Sequence, residues 1–285
     1  MKVAYLGAEK SSTFTEKIAR EIFNANYEFV PLRPIINVIN AVETEKTDFG
    51  VVPIENLING EVRETLDFLT ETSKTKIIQE KALKIVHCLG TLRGNEKINE
   101  VYSKDQALEQ CSKYLYENYP NAILITTSDT AEGAGFIAKQ NILEAGAIAS
   151  EQALKDAGLE IIARDICPNN KTRFVVLGRD YAKPTGDDKT FLAIHPVVRD
   201  RPGVLADTLI FFRDRGINLE YIQSRPDKDK GYYFYLELNG HKDEKNIEES
   251  IKNLRNYLLD LSVDKNYNPV KILGSYKNTH WKDEN

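Results

Sequence analysis

The sequence has 285 residues, of which 41% are hydrophobic and 28% charged, and its formal net charge is −5 at pH 7. This composition is typical of a globular protein of one large or two ordinary domains, and its acidic balance without a basic stripe excludes broad nucleic-acid binding. Charges occur throughout residues 1–30 and apolar runs are short, so we expect no signal peptide, no membrane association and a cytoplasmic location.

Strand and helix patterns alternate along residues 1–178. The strand candidates are residues 3–6, 50–54, 83–89, 100–103, 122–127, 145–149 and 173–177. Helical spacing occurs in residues 16–24 and at Val62, Leu66 and Leu69. This alternation predicts mostly parallel sheets covered by helices. So many strands in a short segment also predict two small α/β lobes, whose ligands lie in the crevice beyond the strand ends.

The order of predicted strands and helices changes after a charged stretch that contains Pro184 and Gly186, as is typical of a linker. Strand patterns at 190–197, 218–225, 232–239 and 270–273, with helical patterns at 203–215 and 247–258, give the order βαββαβ, a ferredoxin-like domain. We therefore predict domains at 1–180 and 190–275, a linker at 181–189 and a loose polar tail at 276–285.

Several common chemistries have no support in the sequence. The three cysteines and four histidines are scattered and no CxxC occurs, so we predict buried structural thiols and neither disulfides nor a zinc site. Dinucleotide, P-loop, serine-hydrolase and zinc-protease motifs are all missing from the sequence.

Three junctions between a strand and a helix carry polar residues. In residues 6–16, Thr13 and Glu16 fit a capping box, and Asp129 and Glu132 fit another in residues 126–132. Residues 53–65 place the pair Glu55-Asn56 before a helix that opens near Glu61. Helix N-termini hold carboxylates well, although the same patterns are typical of ordinary caps.

Two further stretches contain candidate site residues. In residues 169–174 (NNKTRF), Thr172 can donate a hydroxyl proton and Arg173 can bind a carboxylate bidentately. In residues 101–111, Ser103 lies at a strand end and Gln110 two turns later, where a structural role is equally compatible. The residues alone predict a two-lobed α/β domain that binds a small anion, followed by a ferredoxin-like domain.

Residues 50–69 (GVVPIENLINGEVRETLDFL) closely resemble the signature of the prephenate dehydratase family. Four more stretches occur in that family's order: YLG…STFTEKIA, VYSKDQALEQC, TSDTAEGA followed by GAIAS, and NNKTRF. The second domain resembles an ACT domain through RPGVL at 201–205 and GINLEYIQSRP at 216–226. The resemblance implies two lobes like those of a type II periplasmic binding protein, with catalysis in the cleft and no metal or organic cofactor.

The resemblance also implies an activity, a decarboxylative dehydration of prephenate to phenylpyruvate for phenylalanine synthesis. Thr172 would be the catalytic residue. The implied substrate-binding residues are Thr13, Glu55, Asn56, Ser103, Gln110, Thr130, Arg173 and Phe174. Phenylalanine would inhibit by binding between ACT domains of a homodimer or homotetramer. The implied phenylalanine-binding residues are Gly203, Val204, Leu205, Asn218, Leu219, Gln223, Ser224, Arg225 and Pro226.

The chain departs from the family pattern at four places. The loop 7–13 is longer than usual, Lys104-Asp105 replaces a frequent His-Pro pair, Asp129 replaces a serine or threonine, and Gln223 replaces a glutamate. Three other functions stay open: an arogenate dehydratase, a prephenate decarboxylase, which the whole TRF motif disfavours, and a non-catalytic amino-acid sensor.

Overall fold

The structure is a computed structural model that describes residues 1–8, 13–95, 97–197, 201–227, 231–262 and 264–282. Its strands are β1 (Lys2–Leu6), β2 (Glu28–Leu32), β3 (Phe49–Asn56), β4 (Gly60–Glu61), β5 (Lys76–Lys84), β6 (Cys88–Thr91), β7 (Glu100–Lys104), β8 (Ile123–Thr127), β9 (Ala145–Ala149), β10 (Glu160–Ala163), β11 (Lys171–Gly178), β12 (Asp188–Ile194), β13 (Leu219–Asp227), β14 (Gly231–Asn239) and β15 (Val270–Lys277). Its helices are α1 (Phe14–Ile22), α2 (Ile35–Glu43), α3 (Arg63–Glu71), α4 (Asp105–Gln110), α5 (Ser112–Asn118), α6 (Thr130–Gln140), α7 (Glu151–Asp156), α8 (Val204–Arg213) and α9 (Lys245–Leu261).

The first 178 residues form two lobes, each with its own sheet. In lobe 1, β2, β1 and β3 are parallel, and β11 lies antiparallel between β3 and β5. Lobe 2 is the five-stranded sheet β10-β6-β9-β7-β8. The expectation of mostly parallel sheets is wrong. In lobe 1, β11 returns from lobe 2 and is antiparallel to both of its neighbours. In lobe 2, β6 is antiparallel to both β10 and β9.

The chain crosses between the lobes after β5 and again before β11. The predicted strand at 83–89 spans the first crossing and is two strands, since β5 ends at Lys84 and β6 begins at Cys88. In between, Ile85 and His87 line the space between the lobes. The apolar run of the sequence therefore reflects burial at a crossing and not one continuous strand.

The C-terminal domain has the predicted βαββαβ order. Its sheet, β13-β14-β12-β15, is antiparallel, and α8 and α9 bury one face with Phe212, Leu254 and Leu258. The other face shares a core with lobe 1, in which Phe191 and Tyr235 belong to the same cluster as side chains of α2 and α3. The two domains are therefore packed against each other through a common apolar layer.

The sheets of lobe 1 and the C-terminal domain also meet edge to edge, where Gly274 of β15 pairs with Ile77 of β5. A Cβ at position 274 would lie 2.4 Å from the Ile77 carbonyl oxygen, so only glycine permits this approach. The strand β12 begins at Asp188, and both Asp188 and Lys189 are buried. The last two residues of the predicted linker thus belong to the sheet.

The predicted loose tail is wrong for residues 276–282, while residues 283–285 lie outside the described part of the chain. Tyr276 is buried within β15, and Trp281 is only 3% exposed. The segment is polar in composition, but its two large aromatic side chains bury against lobe 1 and order it.

All three cysteines are buried, as predicted, and in this structure each has a free thiol. Among the helices in the described part of the chain, none is both long enough and apolar enough to cross a membrane.

Candidate active site

A cavity of about 520 Å³ lies between the two lobes. Six of the predicted site residues line it: Thr13, Asn56, Gln110, Thr130, Thr172 and Phe174. They come from segments far apart in the sequence, and β11 and β3 contribute the two residues at its floor, Thr172 and Asn56. No group of three histidine, cysteine, aspartate or glutamate side chains that could hold a metal ion occurs within the described ranges.

Thr172 and Asn56 are paired residues of neighbouring strands. The Asn56 side-chain amide donates to Thr172 Oγ1 over 2.9 Å. The orientation of this amide is fixed, because its oxygen accepts from the backbone N–H groups of Ile58 and Asn59 at 3.0 and 3.1 Å. Among the described residues, Thr172 Oγ1 has only this one hydrogen bond, which uses an oxygen lone pair. The hydroxyl proton is therefore free to be donated into the cleft, and accepting an N–H makes it a better donor.

Gln110 ties the floor of the cleft to lobe 2. Its Nε2 donates to the Asn56 oxygen over 3.2 Å, and its Oε1 accepts from the Asn170 amide over 2.8 Å. His87 Nε2 lies 2.9 Å from the same Gln110 oxygen. Burial lowers the pKa of His87, more than the hydrogen bond with Gln110 raises it, so the imidazole is neutral near pH 7.

Two helices begin at the cavity with the predicted caps. Thr13 Oγ1 accepts from the Glu16 N–H at the start of α1, over 3.1 Å. Asp129 Oδ1 accepts from the Glu132 N–H at the start of α6, over 2.8 Å. Each side chain satisfies one N–H, while the first turn of both helices faces the cavity with its positive dipole end. This arrangement favours anions between the lobes.

Arg33 is a cleft residue that the sequence reasoning missed. It follows β2 and lines the cavity, and its Nη2 lies 3.0 Å from Asp129 Oδ2 in the other lobe. Burial would raise the pKa of the Asp129 carboxyl, but the Glu132 N–H and the Arg33 guanidinium outweigh it and hold the pKa below its usual range. A cation directly after a parallel strand is a signal that could have identified Arg33, but β2 itself was not predicted.

Glu55 and Arg173 do not face the cleft, which corrects the substrate-binding roles predicted for both. Arg173 lies between Thr172 and Phe174 in β11, so its side chain points to the opposite face of the sheet. In β3, the register with β11 shifts at Ile54, which is a β-bulge. The extra residue reverses the alternation of side-chain directions along β3. Both Pro53 and Asn56 therefore line the cavity, while Glu55 points to Arg173 on the opposite face.

Behind the cleft, Arg173 is at the centre of a buried charge cluster. Its guanidinium nitrogens lie 2.9 Å from Glu55, 3.2 Å from Glu80 and 2.6 Å from Glu237. Lys189 lies 2.8 Å from Glu80. Glu237 and Lys189 belong to the C-terminal domain, so the cluster joins the two domains directly behind Thr172. Burial would raise the pKa of Glu237, but Arg173 and Lys189 outweigh burial and keep this pKa below its usual range.

Ser103 also lies outside the cavity. It is fully buried, and its hydroxyl donates to the Ile148 carbonyl oxygen over 2.6 Å. The predicted substrate contact is therefore replaced by a hydrogen bond within the sheet of lobe 2, where an unsatisfied hydroxyl would be costly.

The residues predicted to bind phenylalanine lie at two places on the C-terminal domain. Gly203 caps α8 with a left-handed φ of 87°, followed by Val204 and Leu205 in the first turn. The others lie at the start of, or along, the edge strand β13: Asn218, Leu219, Gln223, Ser224, Arg225 and Pro226. Arg225 pairs with Asp67 of α3 over 2.8 Å, so its guanidinium links the C-terminal domain to lobe 1.

Comparison with known proteins agrees with this geometry. A sequence profile described as prephenate dehydratase matches residues 3–182. The chain belongs to the prephenate dehydratase family. A second profile, that of the ACT domain, matches residues 196–256 of this family member. The predicted family and enzyme class are thereby confirmed.

Several relatives match nearly the whole of this prephenate dehydratase family member. The bifunctional chorismate mutase/prephenate dehydratase of Aquifex aeolicus is 39% identical over 97% of this chain and 73% of its own length. The prephenate dehydratase of Lactococcus lactis subsp. lactis is 33% identical over 97% of both chains. The structure of the Arthrobacter aurescens prephenate dehydratase in complex with L-Phe superposes with a TM-score of 0.82 and 28% identity, covering 99% of this chain and 91% of that one. The predicted two-lobed fold with an ACT domain is confirmed.

Proposed function

We propose that the cleft converts prephenate to phenylpyruvate, water and carbon dioxide, with Thr172 as the catalytic hydrogen-bond donor. The observation that carries this proposal is the Thr172 hydroxyl, which accepts from Asn56 and keeps its proton for the cleft. In the reaction, the C–C bond to the ring carboxylate breaks and its electrons enter the ring. The C–O bond to the ring hydroxyl breaks at the other end, and the departing hydroxide takes up a proton from solvent and leaves as water.

Thr172 stabilises the departing oxygen as negative charge develops on it. A threonine hydroxyl is too weak an acid to be fully deprotonated in this role, so it acts as a positioned donor. The Asn56–Gln110 network holds the donor in one orientation, which reduces the reorganisation needed in the transition state.

Arg33 and the N-termini of α1 and α6 are the groups we assign to the two carboxylates of prephenate. This replaces the role predicted for Arg173, which is buried behind the sheet. In the absence of substrate, Asp129 serves as the counter-ion of Arg33. Closure of the lobes around the substrate would remove water from the carboxylate that leaves as carbon dioxide, which favours its departure.

The test of the proposed function is turnover of prephenate by the purified chain. Phenylpyruvate should form without added metal, ATP or NAD, in buffer that contains a chelator and a reductant. Its enol absorbance in alkali distinguishes it from the product of a decarboxylase that leaves the ring non-aromatic. Absence of phenylpyruvate would favour the amino-acid sensor over the dehydratase.

Substitutions of Arg33 and Asp129 should change the KM for prephenate in opposite directions. Arg33→Ala should raise the KM for prephenate by roughly 10- to 100-fold, as expected for loss of one charge-assisted hydrogen bond. Asp129→Asn keeps a good N-cap for α6 but removes the competing negative charge, so KM should fall. Steady-state kinetics of both variants would measure this.

The matched control is Arg93→Ala, which removes an exposed arginine of lobe 2 and should leave KM unchanged. An unchanged KM in Arg33→Ala, or a raised KM in Asp129→Asn, would contradict the assignment of Arg33 to the substrate.

We propose that phenylalanine inhibits the enzyme through the ACT domain. Two findings support this: the ACT profile match and the similarity to a prephenate dehydratase whose structure contains L-Phe. The carboxylate would bind at the N–H groups that follow Gly203, and residues 218–226 of a second copy would hold the ammonium and the ring. The Arg225–Asp67 pair supports a route from this site to α3, whose first turn lines the cleft.

Gln223→Glu should strengthen phenylalanine inhibition by about 5- to 30-fold. If the site holds the ligand ammonium by charge, a carboxylate in place of the amide adds about 1–2 kcal/mol of binding free energy. Gln140→Glu, the same change at an exposed site in lobe 2, should leave inhibition unaltered. Calorimetric titration and inhibition curves would both report the change, and equal inhibition constants in Gln223→Glu and the parent chain would contradict the role of position 223.

We further propose a homodimer or homotetramer and a cytoplasmic location. Apolar side chains exposed on the ACT domain support association of copies there: Ile210 is 39%, Ile222 48% and Tyr232 53% exposed. Free cysteines support a reducing compartment.

A further inference from the structure

Residues 278–282 follow β15 and lie outside the cleft, and we name them the C-terminal strap. We propose that the strap positions the catalytic pair Thr172–Asn56 by covering Arg173 and Glu55 directly behind it. The proposal rests on the proposed function, since it assigns a role in the same reaction. Its residues touch no substrate, and they act through β11 and β3.

The catalytic pair needs support from behind the sheet because the hydrogen bonding between β3 and β11 is irregular at this point. The bulge at Ile54 interrupts the register of β3 against β11 next to the pair Arg173–Glu55. A bulge disrupts ladder hydrogen bonds and bends its strand, so the backbone alone does not fix the neighbouring side chains. The ion pair of Arg173 and Glu55, at 2.9 Å, joins the two strands on the face opposite the cleft.

The strap closes the solvent side of this ion pair. The Trp281 ring lies 5.4 Å from the Arg173 guanidinium. The backbone carbonyl oxygen of Trp281 accepts from the Lys171 ammonium of β11 over 3.3 Å. The Thr279 N–H and hydroxyl donate to Glu80 over 3.1 and 2.8 Å. Each of these contacts falls on a strand or a charged group that supports the catalytic pair.

The strap also balances the charge of the cluster. Arg173 and Lys189 oppose three carboxylates, Glu55, Glu80 and Glu237, which leaves one negative charge. On the solvent side of the cluster, Lys282 lies 3.4 Å from Glu55, and its positive charge offsets this remaining negative charge. Without the strap, water would reach the Arg173–Glu55 pair and weaken it, since ion pairs are weaker at high dielectric constant.

The expected consequence is a loss in kcat. Misplacement of a catalytic group by about 1 Å can cost a factor of roughly 10² in rate, whereas groups that bind substrate in the cleft would be unaffected. A chain that ends at Lys277 should therefore lose about 10- to 100-fold in kcat. Its KM for prephenate should stay within about threefold of the parent value, because the strap makes no ground-state contact with substrate.

Two pairs of variants test the proposal. A chain that ends at Lys282 keeps the whole strap and should have the kcat of the full chain, unlike one that ends at Lys277. Trp281→Ala should lose kcat, while Trp281→Phe, which keeps an aromatic cover on Arg173, should recover most of it. All kinetics are measured well below the thermal unfolding midpoint of each variant, so that lower stability alone does not change the rate.

Trp281 is the sole tryptophan of the sequence, so its fluorescence reports on the strap directly. In the full chain its emission should be protected from quenching by acrylamide. Equal kcat in the chains that end at Lys277 and Lys282 would overturn the proposal, as would equal kcat in Trp281→Ala and Trp281→Phe if the shorter chain does not fold. A full chain that does not turn over prephenate would instead contradict the proposed function itself.

Discussion

Thr172→Ala should lower kcat for prephenate by about 10²–10³, the usual loss for one donor to a developing oxyanion. The Thr172 hydroxyl accepts from Asn56 over 2.9 Å. In the proposed mechanism it donates its proton to the departing oxygen, and this hydrogen bond is stronger in the transition state than in the ground state. KM should therefore change much less than kcat. Single-turnover and steady-state measurements of phenylpyruvate formation would give both quantities.

Two further substitutions at position 172 distinguish the effect of the hydroxyl group from the effect of side-chain volume. Thr172→Ser keeps the donor and should retain appreciable activity, while Thr172→Val keeps the volume without the donor and should be as impaired as alanine. An alanine or valine variant within about twofold of the parent kcat would exclude the donor role, because loss of a transition-state donor cannot be that small.

Local order accounts for several of the predicted residues that line the cavity. Thr172 and Phe174 are two apart in a strand and face the cleft together. Thr13 and Asp129 cap helices, as the spacing to Glu16 and Glu132 predicted. In the ACT domain, regular periodicity was enough to predict every strand and helix in order.

The errors arise where tertiary structure changes a local rule. Strand alternation alone cannot reveal the bulge at Ile54, which turns Glu55 away from the cleft and Asn56 towards it. The short strand β2 contains Pro31, which obscured the strand and with it Arg33 at its end. Trp281 was overlooked because a single aromatic residue among polar neighbours has no periodicity, and only the folded lobe 1 supplies the surface that buries it.

Arg173→Met should destabilise the folded protein by about 3–5 kcal/mol, the usual cost of removing one partner from a buried ion pair. The side chain is fully buried, and its loss would leave Glu55, Glu80 and Glu237 opposed by Lys189 among the buried groups. The effect should be seen in urea unfolding as a lower midpoint. Arg213→Met removes an exposed arginine that pairs with its neighbour Asp214, and this control should change stability by less than about 1 kcal/mol.

The decisive measurement is the double variant Arg173→Met with Glu237→Gln. If Arg173 serves mainly to compensate buried carboxylates, removing one carboxylate as well should recover part of the lost stability, so that the double variant is more stable than Arg173→Met alone. Glu237→Gln by itself leaves two cations opposite two carboxylates, and its cost should be smaller than that of Arg173→Met. Because Glu237 belongs to the ACT domain and Arg173 to β11 of lobe 1, the coupling energy of this cycle measures an interaction between the two domains. Simple additivity of the two substitutions would mean that the ACT domain does not stabilise β11 through this pair.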